Sequence, residues 1–344
     1  MIERLISEQV YLLYIMFIMM SVGMIKEHDL FSEVYLYLQK SFKSKRLVVG
    51  IISAIIGVLP IPGRVTASAG ILDTMIDDNC KSKSKFGIVD YLATHHYYLW
   101  SPLEKTVLIP MGALGITYSA LMIQLSPILI TSLILIVGYI FFFVKESDIK
   151  FDPGSEMKIS RVTRGILPLF IAIGGAAYGI NPLWAYGGLT FYYMLLTMTW
   201  DVAKLNSYIN WNLLVTVFVI IIIAAAAREN TAEIESYLEK TPFNTSSFYG
   251  WISLSLVAFI SSFCLGSSGR FVALAVILCS IYGNQYFLWF FTLEFAGYLV
   301  SPMHKCAAIG MMYFKIPFIE YASVLTIWAL SLIVISGLLT FTQL

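Results

Sequence analysis

Two short stretches carry residues that are costly in an apolar setting and so point to chemistry. The first reads Tyr98-Leu99-Trp100-Ser101-Pro102-Leu103-Glu104-Lys105. The second reads Tyr298-Leu299-Val300-Ser301-Pro302-Met303-His304-Lys305, and Tyr, Leu, Ser, Pro and Lys coincide at an offset of 200 residues. Proline removes an N–H and disfavours the α conformation of the residue before it, so each step breaks a helix. The helix that restarts after each break presents N–H groups and a positive dipole end, which favour an anion. Glu104 and His304 stand at matched positions and are titratable, which suits them to carry a coupling proton.

Two Pro- or Gly-rich tips add cations to this set. They read Leu59-Pro60-Ile61-Pro62-Gly63-Arg64 and Gly266-Ser267-Ser268-Gly269-Arg270. The candidate substrate-binding residues are therefore Gly63, Arg64, Ser101, Lys105, Ser267, Ser268, Arg270, Ser301 and Lys305, with Glu104 and His304 for coupling. A lone Arg or Lys at the bilayer centre costs roughly 2.5–3.5 kcal/mol, so four cost about 10–14 kcal/mol. That matches the whole net stability of many proteins, so these cations must be hydrated, paired or bound to an anion. The rival reading has Lys105 and Lys305 snorkelling or neutralised by a carboxylate such as Glu104. Asp73, Asp90 and Glu294 are candidate counter-ions, helix capping or surface exposure being the rival for Asp90. His95 and His96 read as interfacial, or as part of a wet path.

The positioning elements must be membrane helices. Hydrophobic residues make up 58% and charged residues 12% of the 344 residues, with mean hydropathy +0.80, against about 25% charge in soluble domains. The net charge of +1 argues against a nucleic-acid partner. Cys80, Cys264, Cys279 and Cys306 form no CxxC pair and read as reduced packing residues. No HExxH, GxSG or metal-spaced cluster appears, so no metal or other cofactor is expected. The first residues lack a basic segment and a cleavage site, so no signal peptide is expected.

Apolar segments are predicted at Tyr11–Ile25, Ser126–Val144, Gly165–Gly179, Pro182–Trp200, Trp211–Ala227 and Phe318–Leu339. An amphipathic surface helix is predicted within Lys26–Arg46. Residues 47–76 and 249–282 each hold two short apolar runs around a tip and read as re-entrant hairpins. Residues 86–122 and 285–316 read as broken helices interrupted at the Ser-Pro steps. Span, hairpin, broken helix and final span recur in the same order, and the Gly-Arg tips lie 206 residues apart. The reading is an all-α polytopic membrane protein of two inverted repeats, residues 1–160 and 206–344, joined by a helical hairpin at 161–205. About eight crossings plus two hairpins place four loops on one side with fourteen basic residues, against three on the other. The positive-inside rule makes the basic side cytoplasmic, in a multi-pass protein of the cell membrane. Inverted repeats with discontinuous helices place a site at the midplane between them.

The hairpin-plus-break units resemble the ion transporter superfamily, which includes the divalent anion/sodium symporters. Within it the chain looks most like a membrane family called domain of unknown function 401. Leu59-Pro60-Ile61-Pro62-Gly63 is similar to that family's Leu-Pro-x-Pro-Gly tip. Gly297-Tyr298-Leu299-Val300-Ser301-Pro302-Met303-His304-Lys305-Cys306 is similar to its Gly-Tyr-Leu-x-Ser-Pro-x-His-x-Cys run. The resemblance implies an inverted-repeat carrier, commonly a homodimer, with elevator-like movement of hairpins and broken helices against a scaffold. The symporters carry Ser-Asn-Thr at tips and breaks, where sodium and carboxylate bind. This chain has Pro-Gly-Arg, Ser-Ser-Gly-Arg and Ser-Pro there, which favours a proton over sodium as the coupling ion.

The leading expectation is a secondary active transporter for a small anion or organic acid. A carrier for an anionic lipid head group, such as a polyprenyl phosphate, is the alternative within transport. An intramembrane enzyme, for example a phosphatase using His304, is the alternative outside it.

Overall fold

The computed structural model describes residues 2–28, 30, 37, 41–58, 64–77, 79–80, 82–102, 104–150, 159–245, 247–266 and 268–342. Much of the surface helix expected in Lys26–Arg46, the first hairpin tip through Gly63, and Ser267 of the second tip fall outside these residues. The described residues are helical, with no strand among them beyond one isolated antiparallel bridge between Ile76 and Ile149.

Sixteen α-helices are named here in chain order. They are α1 (Ile2–Glu27), α2 (Lys45–Val58), α3 (Arg64–Met75), α4 (Ser84–His95), α5 (Lys105–Leu114) and α6 (Tyr118–Phe143), followed by α7 (Ile159–Ala177), α8 (Pro182–Thr197), α9 (Val202–Ser207), α10 (Trp211–Glu229) and α11 (Thr231–Leu238). The chain ends with α12 (Phe248–Leu265), α13 (Ser268–Tyr282), α14 (Phe287–Val300), α15 (Lys305–Phe314) and α16 (Phe318–Phe341). Local chemistry sets several boundaries. Thr117 caps α6 by accepting from the Ala120 N–H, Asn181 caps α8 at Leu183 with Pro182 in the first turn, and Ser247 caps α12 at Gly250.

Three of these helices are long and apolar enough to cross a membrane by themselves: α6, α12 and α16. Among the described residues, Ile15–Ile25, Lys105–Leu114, Thr163–Ala176 and Val272–Tyr282 form shorter apolar stretches. The run expected as the first part of the second hairpin forms α12, whose 18 residues reach about 27 Å, close to the ~30 Å hydrocarbon thickness.

One departure concerns the first broken helix. It was expected to run on past the Ser-Pro step to Met122, but α5 stops at Gly115, left-handed with φ of 67°. The second ends where expected, next to Ile316, with Lys315 left-handed at φ 53°. These stops again lie 200 residues apart. The span expected from Ser126 accordingly begins earlier, at Tyr118.

Packing repeats as the sequence does. α2 lies on α4, and α12 lies on α14. Each pair approaches closely through a glycine. A Cβ on Gly57 would meet the Thr94 backbone at 2.7 Å, and one on Gly297 would meet the Phe259 carbonyl at 2.3 Å. Small residues permit such close approach between apolar helices. Across the halves the contacts are reciprocal: α13 packs on α5, and α3 packs on α15. The final helices α6 and α16 pack on each other, while α1 packs on α8.

The loops predicted to share a side are tied together. Glu146 accepts from Ser44 Oγ at 3.0 Å and lies 3.6 Å from Arg46 Nε. The Asp77 N–H donates to the Asp148 carbonyl at 2.9 Å. Glu27 contacts Lys204 Nζ and accepts from Tyr208 Oη, both at 2.5 Å. Tyr282 Oη donates to the Phe243 carbonyl, and α11 packs on α13.

Candidate functional site

The two Ser-Pro breaks meet at a pair of tyrosines. Tyr98 Oη and Tyr298 Oη, at the ends of equivalent segments, are 2.9 Å apart in a buried hydrogen bond. Ser101 and Ser301 are both buried. Ser301 Oγ donates to the Phe263 carbonyl at 2.5 Å and accepts from the Met303 N–H at 3.2 Å. A Cβ on Gly266 would meet the Met303 backbone at 2.8 Å. The second break therefore sits against the end of α12, as the sequence led one to expect. In the first half, Thr106 Oγ1 donates to the Tyr98 carbonyl at 2.8 Å and holds α5 to the segment before the break.

Lys105 and Lys305 each open the helix after a break, and neither helix has a side-chain cap. Glu104 is buried at the preceding position, with its backbone N–H donating to the Ser101 carbonyl at 3.0 Å. Lys105 is half-buried and Lys305 is exposed. Arg64 opens α3, while Ser268 and Arg270 lie in the first turn of α13; their side chains are outside the described set.

The expected counter-ions do something else. Asp73 pairs with Lys83 at 2.9 Å near the surface. Asp90 is fully enclosed on α4, not exposed at a helix end, and accepts from Ser68 Oγ of α3, which also contacts Ser53 of α2 at 3.4 Å. Glu294 is fully enclosed on α14, with its carboxyl beside the backbone of Ala275 and near Cys279 of α13. Each half thus holds one buried acid between its broken helix and its second hairpin helix. No described residue pairs Asp90 or Glu294 with a cation.

The densest polar cluster was not foreseen. His95 and His96 are buried rather than interfacial. His95 Nδ1 lies 2.6 Å from the Tyr91 carbonyl, one turn earlier on α4. Its Nε2 lies 3.4 Å from His304 Nε2. Tyr91 Oη donates to the Leu299 carbonyl at 2.8 Å and lies 2.9 Å from His304 Nδ1. Cys306 completes the group, with the ligand atoms of His95, His304 and Cys306 all within 4.8 Å of one another. The i, i+4 spacing of Tyr91 and His95 places them on one helix face. That spacing was the available signal. The partners at 304 and 306 come from the other half, so no local motif announces them. At the equivalent positions of the other half stand Phe291, Phe295, Glu104 and Thr106. The match between the two Ser-Pro stretches therefore does not extend to this cluster.

None of the four cysteines is in a disulfide. Cys306, however, is more than packing, since it faces two imidazoles.

Sequence comparison places the chain in a family. The profile described as protein of unknown function (DUF401) matches residues 1–341, so the chain belongs to that family. No curated protein matches the chain.

Proposed function

We propose that this protein is a secondary active transporter of the ion transporter superfamily type, built from two inverted repeats and moving a small anion or organic acid across the cell membrane. The observation that carries the proposal is the reciprocal packing centred on the Tyr98–Tyr298 hydrogen bond. If element A of one half meets element B of the other, and B then meets A, the halves are related by a two-fold axis rather than a translation. With an axis in the membrane plane, each half lies inverted relative to the other, and the discontinuous helices meet near the midplane. The hairpin tips and breaks then supply Gly63, Arg64, Ser101, Lys105, Ser267, Ser268, Arg270, Ser301 and Lys305 to an anion. Glu104, buried at the first break, is suited to a coupling proton. His304 instead belongs to the cluster with His95. The chain works as a homodimer, with its basic loops in the cytoplasm.

The test is an anion screen by thermal shift on purified protein, followed by uptake into proteoliposomes. Stabilising anions should lose their effect in Arg64→Ala and Arg270→Ala, while both variants still insert and purify. Wild-type shifts in both variants would place the site elsewhere. A chemically altered product would support an enzyme instead.

One observation favours a lipid as cargo. A groove of about 630 Å³ between α12, α14 and α16 is lined by Trp251, Leu256, Phe259, Trp289, Leu293 and Phe341, among others. An acyl or prenyl chain suits such walls, with its phosphate at the tips. Polyprenyl phosphate belongs in the same screen, and a shift with it alone would select this reading.

A further inference from the structure

We propose that His95, His304 and Cys306 form a binding site for a zinc-class d¹⁰ cation, at the contact between the two halves. The hydrogen bonds decide where the ring protons sit. A carbonyl can only accept, so His95 Nδ1, 2.6 Å from the Tyr91 carbonyl, carries the proton there. Tyr91 Oη has a single proton and gives it to the Leu299 carbonyl at 2.8 Å. His304 Nδ1, 2.9 Å from that same oxygen, must then donate to it. In the neutral rings both Nε2 atoms are consequently lone-pair donors, and they face each other at 3.4 Å. Two lone pairs so placed repel unless a proton or a metal ion lies between them.

The geometry selects a metal. Zinc binds imidazole nitrogen at ≈ 2.0–2.1 Å in tetrahedral sites, which sets two such nitrogens roughly 3.3–3.4 Å apart. The observed separation is that edge. Cys306 Sγ lies within 4.8 Å of the nitrogens, so a small side-chain adjustment completes an N₂S set. Two imidazoles and a thiolate suit zinc or copper(I) better than magnesium or calcium. Both Nδ1 atoms are already held by Tyr91, one by its carbonyl and one by its hydroxyl, as ligating histidines generally are. Aromatic rings enclose the site: the Tyr91 ring is 4.0 Å from that of His95, and the Tyr298 ring is 4.0 Å from that of His304. Their faces are favourable neighbours for a cation. Half-buried Cys306 and exposed Met303 and Lys305 mark the side from which an ion would enter. Binding converts the Cys306 thiol to a thiolate and releases one proton per ion. Three protein ligands leave one tetrahedral position for water or another donor.

The site adjoins the second break, with Lys305 between two of its ligands, and is tested without any transport measurement. Chelator-treated full-length protein is titrated with Co²⁺, which reports a thiolate ligand by a sulfur-to-metal charge-transfer band. One equivalent of Co²⁺ should bring up the band, and Zn²⁺ should bleach it. Cys306→Ser should abolish the band, and His95→Gln should weaken binding strongly. Tyr91→Phe should keep the band but weaken binding by about 10- to 100-fold, as loss of an outer-sphere partner does. Melting of the metal-free variants checks that each is folded. Absence of the band in the wild type would overturn the proposal, as would a band that survives Cys306→Ser. In either case a single proton shared by the two imidazoles, which needs no thiol, would account for their contact.

Discussion

The Tyr98–Tyr298 contact joins equivalent residues, so its two halves can be varied separately. A buried neutral hydrogen bond contributes about 1 kcal/mol net. Tyr98→Phe and Tyr298→Phe should each destabilise by about that amount. The double variant should cost less than the sum, since one bond is lost either way. Additive losses would mean that each hydroxyl is held mainly by other groups. A different residue gives a pH signature. Glu27 lies beyond the apolar run of α1, where the hydrogen bond from Lys204, then that from Tyr208, lowers its carboxyl below the usual 4.5. A lowered carboxyl contributes stability that is present above its unfolded value and lost as pH falls through its folded value. Wild-type protein should therefore lose an increment of thermal stability as pH drops below 4.5, and Glu27→Gln should lack that step. An identical step in the variant would show that other carboxylates produce it.

At the scale of elements, close helix approach is the feature most open to test. Gly57→Ala and Gly297→Ala push a methyl into backbone atoms that cannot yield. Each should destabilise by 1–3 kcal/mol or more, as overpacking does. Gly138 on α6 and Gly188 on α8 have nothing within 4 Å of an added Cβ, so alanine there should be neutral or stabilising by up to about 1 kcal/mol. Equal behaviour of the two sets in melting experiments would refute the packing described for α2–α4 and α12–α14. The helices themselves were legible because Pro, Gly and charged loops punctuate long apolar runs. Their ends were less so. Tyr118 begins a helix only because Gly115 has stopped the previous one in a left-handed turn, and Lys315 does the same without being glycine. The site was legible where it lies within one motif, as at Ser301. It was hidden where partners come from opposite halves: nothing local ties His95 to residues 304 and 306. Asp90 was misplaced for a related reason, since its serine partners belong to the preceding hairpin and not to any basic residue.

For the whole molecule the central claim is that the two halves are inverted copies. Residues 44–46 and 77 are joined to 146–148, and residue 27 to 204 and 208, by hydrogen bonds or ion pairs. The loop before α4 is tied to α3 by the Asp73–Lys83 pair. The loop before α14 lies beside Tyr282, which reaches the Phe243 carbonyl near α11. Lys83 and Asn284 stand at matching places, just ahead of their broken helices, and both are accessible. The decisive measurement places a single cysteine at Lys83 or at Asn284, in a protein whose four native cysteines are replaced, and labels intact cells with a membrane-impermeant thiol reagent. The account predicts that the cysteine at 284 labels from outside, while the one at 83 labels only after the membrane is opened. Labelling of both from the same side would contradict the inverted architecture, and with it the basis for reading the chain as a carrier.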